Sequence, residues 1–460
     1  MIENRSPWLH QLNRKRPVVA IDSHHAADLA IVGGGIAGVA TAYFALRDTK
    51  ETVVMLEADK VAHGATGHNA GQIASYFERP LSSLAKEFGE EKAAAAQKSV
   101  ESAWLLIDEI LAETRLTTPV YRFTGYAGVS CLNHVITRLN DNRIRTKGGL
   151  APESLMVSEE WADRAKIPHE YAEEYSVVPH KDIMALLDAS NPDYIAASSY
   201  QKGCTNSALL CEEIIAYLLA TYPERFTLRE GSPVTRVKLS AADVTLIVKE
   251  HEVKVSRVVL ATNGFENFHI FHESGPQIDT TFHHDVTGRI GYMAAYVEPL
   301  SNPPTAISYF PKGADMTGDP TGESYFYLTR RPHEAEGMPT TNLVCVGGPD
   351  MPLPNQALYV RDEVSQDHIP GVIDQFMREN YRLYPVDKPE YPYHWNGLMG
   401  YTPGGVRRVG PEPVNPRLLY NLGCNGVGIL PSIWGGKRIS EFLLGGAVEP
   451  SLFDPRDQRS

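Results

Sequence analysis

Three glycines and one acid open the chemistry of this chain. Gly33, Gly35 and Gly38 stand in G-x-G-x-x-G spacing directly after the apolar run Ala30-Ile31-Val32, and a second apolar run, Val53 to Leu56, ends in Glu57. Glycines so spaced permit a tight turn and let the backbone approach a pyrophosphate at the positive end of a helix. A carboxylate about 20 residues further on suits the hydroxyls of an adenosine ribose. Strand, turn, helix, strand and acid in this order predict a dinucleotide site, for which NAD and FAD serve equally so far.

The elements that must position such a site follow from the apolar periodicity. Leu84 to Arg115 reads as a scaffold helix, Tyr121 to Val129 as a strand, and the charged stretch Ala151 to Pro179 as helix-prone. Residues 206–223 suit an amphipathic helix, and Ser232 to Gly264 suits three short strands. The last of them, Val258 to Ala261, is apolar on both faces, as a central parallel strand would be. Phe282 to Gly348 reads as a largely antiparallel sheet and Asp362 to Leu383 as helix; the C-terminal part reads as strand, glycine-rich turn and helix.

The chain has 460 residues, enough for two joined domains. With 43 basic against 56 acidic residues its net charge is −13, which argues against a nucleic-acid or anionic-membrane surface. The apolar segment Ala27 to Leu46 contains the glycine turn and is not read as a membrane span, and the N-terminus lacks the apolar core of a secretory signal. Five scattered cysteines without a C-x-x-C pair indicate neither a disulfide framework nor a metal knuckle, and fit a cytoplasmic protein.

Four separated segments together carry a family likeness. They are the glycine turn with Glu57, the small-residue loop Val61 to Gln72, the strand ending in Thr262-Asn263-Gly264, and the block Gly423 to Ser432. In this the chain resembles the D-amino-acid oxidase and sarcosine oxidase superfamily of FAD-dependent amine oxidoreductases. The resemblance implies an α/β fold (α+β overall): a Rossmann-like FAD-binding domain from residues 1–80, 200–265 and 390–460, and a substrate domain on a largely antiparallel sheet from residues 81–199 and 266–389. It implies FAD as cofactor, a small-molecule amine as substrate, and dioxygen or another electron acceptor. The implied FAD-binding positions begin with Gly33, Gly35, Ile36, Ala37, Gly38, Glu57 and Ala58. In the loop they are Gly64, Ala65, Thr66, His68, Asn69, Ala70, Gly71 and Gln72. Val234, Thr262, Asn263, Gly264 and Gly397 follow, then Gly423, Asn425, Gly426, Val427, Gly428, Ile429 and Leu430. A helix starting near Pro431 would offer its positive end to the flavin, where negative charge collects on reduction.

The resemblance also raises specific questions. One branch of the family joins a histidine in the frame of Gly64 to Gly71 covalently to the flavin, so His68 is either a covalent attachment or a hydrogen-bonding neighbour. Another branch uses a cysteine where this chain has Met399. The family lysine that grips a substrate carboxylate aligns with Leu430, and the lysine that promotes reaction with dioxygen aligns near Cys345. Tyr401 matches a pocket-lining tyrosine. Tyr325 and Tyr327, with Tyr292, Trp395 and Trp434, could complete an aromatic box around an ammonium group, and Arg330 or Arg331 could clamp an acid group. Tyr401, Tyr327 and Tyr325 are the candidate catalytic residues. Related FAD folds also oxidise hydroxy acids or glycerol-phosphate-like substrates, and a flavin-binding subunit of little activity is a further alternative.

Overall fold

The first strand, His25–Val32, is buried along its second half, and both its neighbours run parallel to it: Val53–Leu56 on one side and His251–Leu260 on the other. The computed structural model describes residues 4–266, 268–273, 275–276, 278, 286–314, 325–334, 340–353, 359–360 and 368–455. Phe226–Arg229 and Leu418–Leu422 extend the parallel set outward. Val234–Leu239 and Val244–Val248 add antiparallel strands, completing most of a nine-stranded sheet. The runs of Val, Ile and Leu in these strands reflect burial on both faces. On one face pack the helices Ile36–Asp48 and Ile429–Leu443, which touch closely because Gly436 lacks a side chain: a Cβ there would lie 2.7 Å from the Ala40 carbonyl carbon.

A ten-stranded mixed sheet stands beside it, with Thr287–Glu298 flanked antiparallel by Thr341–Leu353 and Tyr393–Tyr401. Phe326–His333 and Thr305–Phe310 follow, and Thr305–Phe310 pairs parallel with Tyr121–Val129. Ala196–Cys204 comes next, and the short strand Gln72–Ala74 joins its edge.

The sheets divide the chain differently from the expected boundaries. Tyr393–Tyr401 belongs to the ten-stranded sheet although it lies within residues 390–460, and His269–His272 extends the nine-stranded sheet although it lies within residues 266–389. The helix Glu90–Thr114 buries Ala93, Val100 and Ile107 in one core with the two helices of the glycine-rich turns. It begins at Gly89, whose φ of 94° separates it from Leu81–Phe88, so the single expected helix is two. Ala151 to Pro179 forms no α-helix, only the short 3₁₀ turns Ala162–Lys166 and His169–Tyr171: Leu155 and Val157 are buried at period two in the strand Ser154–Ser158, and Ser176–Val178 pairs with it. Ile369–Asn380 is helical, whereas residues 362–367 of that expectation, and residues 282–285, 315–324 and 335–339 of the expected sheet, lie outside the described residues. No helix among the described residues is long and apolar enough to cross a membrane.

Candidate active site

A cavity of about 460 Å³ lies between the two sheets. Its first wall is built by the glycine turn. Gly33 has φ 108°, open to glycine, and a Cβ on Gly38 would lie 1.9 Å from the Gly33 carbonyl oxygen. Gly38 thus serves the close packing of the turn, while Gly33, Gly35, Ile36 and Ala37 line the cavity. Glu57 and Ala58 line it too. The Glu57 carboxylate accepts from Gly34 N–H (2.6 Å) and Asp59 N–H (2.8 Å), so it also braces the turn. Burial pushes its carboxyl above the usual range, against the pull of those two bonds.

The loop Gly64 to Gln72 forms the next wall through Gly64, Ala65, Thr66, His68, Asn69, Ala70 and Gln72. Thr66 Oγ1 accepts the Ile36 N–H at 3.0 Å, which ties the loop to the first helical turn. His68 hydrogen-bonds its own loop, Nδ1 to the Gly64 carbonyl at 3.0 Å. Gly71 faces away from the cavity, because a Cβ there would meet the Trp8 ring at 2.7 Å. The sequence reading missed what clamps this loop from outside. Trp8 is fully buried, and the Asn69 carbonyl accepts from Trp8 Nε1 (2.5 Å) and Trp395 Nε1 (3.2 Å). The signal was present in Ser6-Pro7, a capping residue and an N1 proline: Ser6 Oγ accepts the Trp8 N–H at 3.2 Å.

Val234, Thr262 and Asn263 line the cavity, and Asn263 has φ 61°. Its Oδ1 accepts the Cys424 N–H at 2.7 Å, so the Thr262-Asn263-Gly264 turn and the C-terminal glycine turn hold one another. Gly264 (φ 90°) packs behind, where a Cβ would strike Val286. In the C-terminal turn Gly426, Val427, Gly428 and Ile429 reach the cavity, together with Gly397 of the ten-stranded sheet. Gly423, Asn425 and Leu430 do not line it. Gly423 packs on Thr402, Asn425 accepts the Thr402 N–H at 2.9 Å, and Leu430 is fully buried in the core. The helix starts at Ile429, two residues before the expected Pro431.

The ten-stranded sheet supplies the far wall. Tyr325, Tyr327 and Tyr401 come together there, with Met399 beside them. The rest of the expected aromatic box is elsewhere: Tyr292 is in the core on the other face of its strand, Trp395 backs the loop, and Trp434 packs on Phe453. The expected arginine clamp also fails. Arg330 is buried against Asp188 (3.1 Å) and Glu298 (3.5 Å), and Arg331 lies over the Trp8 ring at 4.9 Å. Cys345 is buried away from the cavity and its thiol is pushed up by burial.

Residues 28–442 match the model of a family described as "FAD dependent oxidoreductase", DAO. The chain belongs to the DAO family of FAD-dependent oxidoreductases. Among curated relatives it is 20% identical to "Probable oxidoreductase OrdL" of Haemophilus influenzae over 433 residues, 93% of this chain and 85% of the other. It is 31% identical to "Gamma-glutamylputrescine oxidoreductase" of Escherichia coli over 81 residues, 18% of this chain and 19% of that one. Its fold is similar to the crystal structure of L-proline dehydrogenase from P. horikoshii, with a TM-score of 0.66 at 15% identity, covering 94% of this chain and 98% of the other.

The wall of this DAO-family oxidoreductase fits its cofactor FAD. Two helix starts, at Gly35 and Gly428, receive no side-chain bond from their own N-cap glycine, and both helices open on the cavity. Sequence reasoning missed Tyr76, Glu78, Asp350 and Arg407, all of which line the cavity. Glu78 is hydrogen-bonded to Tyr325, and burial with the nearby Asp350 pushes its carboxyl up to about 7, against Tyr325, Lys202 and Arg138. Asp350 is paired with Arg289 at 2.6 Å. Behind the wall, fully buried Lys202 reaches Gln72 Oε1 (3.0 Å) and Ser308 Oγ (3.2 Å), and burial and Arg138 lower its ammonium to about 7.

Proposed function

We propose that this oxidoreductase oxidises the C–N bond of an amine or amino acid, with an imine hydrolysed afterwards and electrons passed to dioxygen or another acceptor. The observation that carries this is the far wall, where Tyr325, Tyr327 and Tyr401 stand with the Glu78 carboxyl. Aromatic faces and a carboxylate together favour a cation. The name of the Escherichia coli relative, which includes an amine, supports the same class.

The nine-stranded sheet and its turns would hold FAD, and the ten-stranded sheet would hold the substrate. Glu57 suits the adenosine ribose, the glycine-capped starts of the two helices suit anionic and electron-rich parts of the cofactor, and His68, Asn69 and Gln72 flank it. When bound, FAD supplies the hydride acceptor. The three tyrosines orient the amine and exclude water from its α-carbon. Glu78 takes the proton from the ammonium nitrogen and so frees the lone pair on which C–H cleavage depends. The free state of all five cysteines supports a reducing, cytoplasmic setting.

Anaerobic titration of the holoprotein with panels of amines, amino acids and hydroxy acids tests the assignment. Bleaching of the flavin absorbance by an amine or amino acid is expected. Bleaching by hydroxy acids or glycerol phosphates alone overturns it. Readmission of air then separates an oxidase from a dehydrogenase.

A further inference from the structure

Arg407 is 5% exposed and lines the cavity beside Cys424, Gly428 and Ser432. Its guanidinium donates to Asn421 Oδ1 (2.8 Å), the Asn421 carbonyl (3.0 Å) and the Gly423 carbonyl (3.4 Å). All three acceptors are neutral, and among the described residues no carboxylate pairs with it. Other buried arginines are compensated: Arg330 by Asp188, Arg289 by Asp350 and Arg438 by Asp454, while Arg331 lies over Trp8. Burial pulls the Arg407 guanidinium down to about 10, with only Cys424 opposing. A buried cation without a counter-charge is costly, so the anion that balances it is to be sought in the cavity.

The position of Arg407 says which anion. Asn421, which accepts from Arg407 Nε, donates through Nδ2 to the Ala37 carbonyl (3.3 Å) and the Ser432 carbonyl (3.1 Å). Ala37 is in the first turn of Ile36–Asp48 and Ser432 in the first turn of Ile429–Leu443. The guanidinium therefore sits where two helix starts with glycine N-caps converge on one cavity, and three sources of positive potential share a focus.

We propose that Arg407 binds the diphosphate of FAD, as its principal side-chain cation. The flavin ring and the adenine are neutral, and the diphosphate is the anionic part of the cofactor. Two guanidinium donors remain beyond those given to Asn421 and Gly423, enough to reach two diphosphate oxygens, and the charge is opposite in sign. The proposal stands whether or not the substrate is an amine.

Dissociation constants of FAD and of riboflavin, which lacks the diphosphate, would be measured on deflavinated protein by fluorescence quenching. The wild type, Arg407→Met and Arg407→Lys would be compared. Loss of a charge-assisted contact predicts FAD binding weakened about ten- to hundredfold in Arg407→Met. Riboflavin affinity is expected to stay within about twofold, and Arg407→Lys to recover part of the FAD loss, because charge matters more than shape at a phosphate. Unchanged FAD affinity overturns the proposal. So does an equal loss for FAD and riboflavin, which would place Arg407 at the ring or in the scaffold. Should Arg407→Met not fold, the lysine variant decides: equal weakening of both flavins refutes, and selective weakening of FAD supports.

Discussion

Replacing Glu78 by Gln keeps the shape of the far wall and removes its proton acceptor. Eight groups face this carboxyl from the surrounding elements: Tyr76, Arg138, Tyr200, Lys202, Tyr325, Tyr327, Asp350 and Tyr401. With the carboxyl raised to about 7, it is protonated below that pH and accepts a proton above it. An alkylammonium of ordinary pKa, about 10.4, is neutral in roughly one molecule in a thousand at pH 7.4. Without Glu78 the enzyme must draw on that fraction alone, so the second-order rate of anaerobic flavin reduction at pH 7.4 should fall by about 10²- to 10⁴-fold, the range a positioned general base contributes. The pH profile should change shape as well. In the wild type the rate rises with pH and levels above about 7; in the variant it climbs about tenfold per pH unit toward the amine pKa. Stopped-flow reduction with one amine across pH 6 to 10 checks both. A variant that keeps the break near 7, or loses less than about fivefold, places the base elsewhere and refutes the reasoning. Stability gives an independent sign. A carboxyl raised in the folded state contributes stability that is full below its unfolded pKa and is lost as pH rises through about 7. The wild-type apoprotein should lose thermal stability across that window, and Glu78→Gln should flatten the slope.

Gly347→Ala would place a Cβ 2.1 Å from the Tyr327 ring, so that ring must move; kcat/KM should drop about tenfold, consistent with an overpacking cost of about 1–3 kcal/mol, while FAD affinity measured by fluorescence stays unchanged. Gly38→Ala drives a Cβ into the Gly33 carbonyl and should lower both Tm and FAD content, with a stability loss of about 3 kcal/mol or less if the turn can shift and more if it cannot, read by thermal melts and the flavin-to-protein absorbance ratio. His68 is engaged through Nδ1 by its own loop, and acid precipitation of the holoprotein is expected to leave a colourless pellet under a yellow supernatant; a yellow pellet would establish a covalent bond.

The half of the cavity built by the glycine turn was legible because its signals are local. A glycine turn, the helix after it and an acid at the end of the next strand must occur close together in sequence to act together. The half lined by the ten-stranded sheet was legible only in part. Tyr325 and Tyr327 were found because aromatic residues cluster on one strand, but strand alternation and packing sent Tyr292, Trp395 and Trp434 elsewhere. Glu78 and Arg407 were missed for one reason. A charged residue in Phe77-Glu78-Arg79-Pro80 or in Val406-Arg407-Arg408 looks like solvated surface until the strands around it are placed. Arg330 and Arg331 erred in the opposite direction, since a paired arginine motif says nothing about Asp188, far away in sequence, which takes the charge of one of them.

The strand Tyr393–Tyr401 shows how the two halves are made to act as one. It pairs within the ten-stranded sheet, yet it ends against the C-terminal turn that follows the nine-stranded sheet. The Gly400 carbonyl accepts the Asn425 N–H at 2.9 Å, and Asn425 Oδ1 accepts the Thr402 N–H at 2.9 Å, so Tyr401 is held from both sides by the same asparagine. A Cβ on Gly426 would lie 3.0 Å from the Tyr401 hydroxyl and 3.1 Å from the Glu78 carboxyl carbon, so the bare glycine is what lets both groups approach the turn. Asn263 fixes the other side of that turn through Cys424. A displacement of the start of Ile429–Leu443 must therefore carry the tyrosine wall with it. For the proposed hydride transfer, whose electronics belong to the cofactor, the protein supplies orientation, and one shared turn would set it.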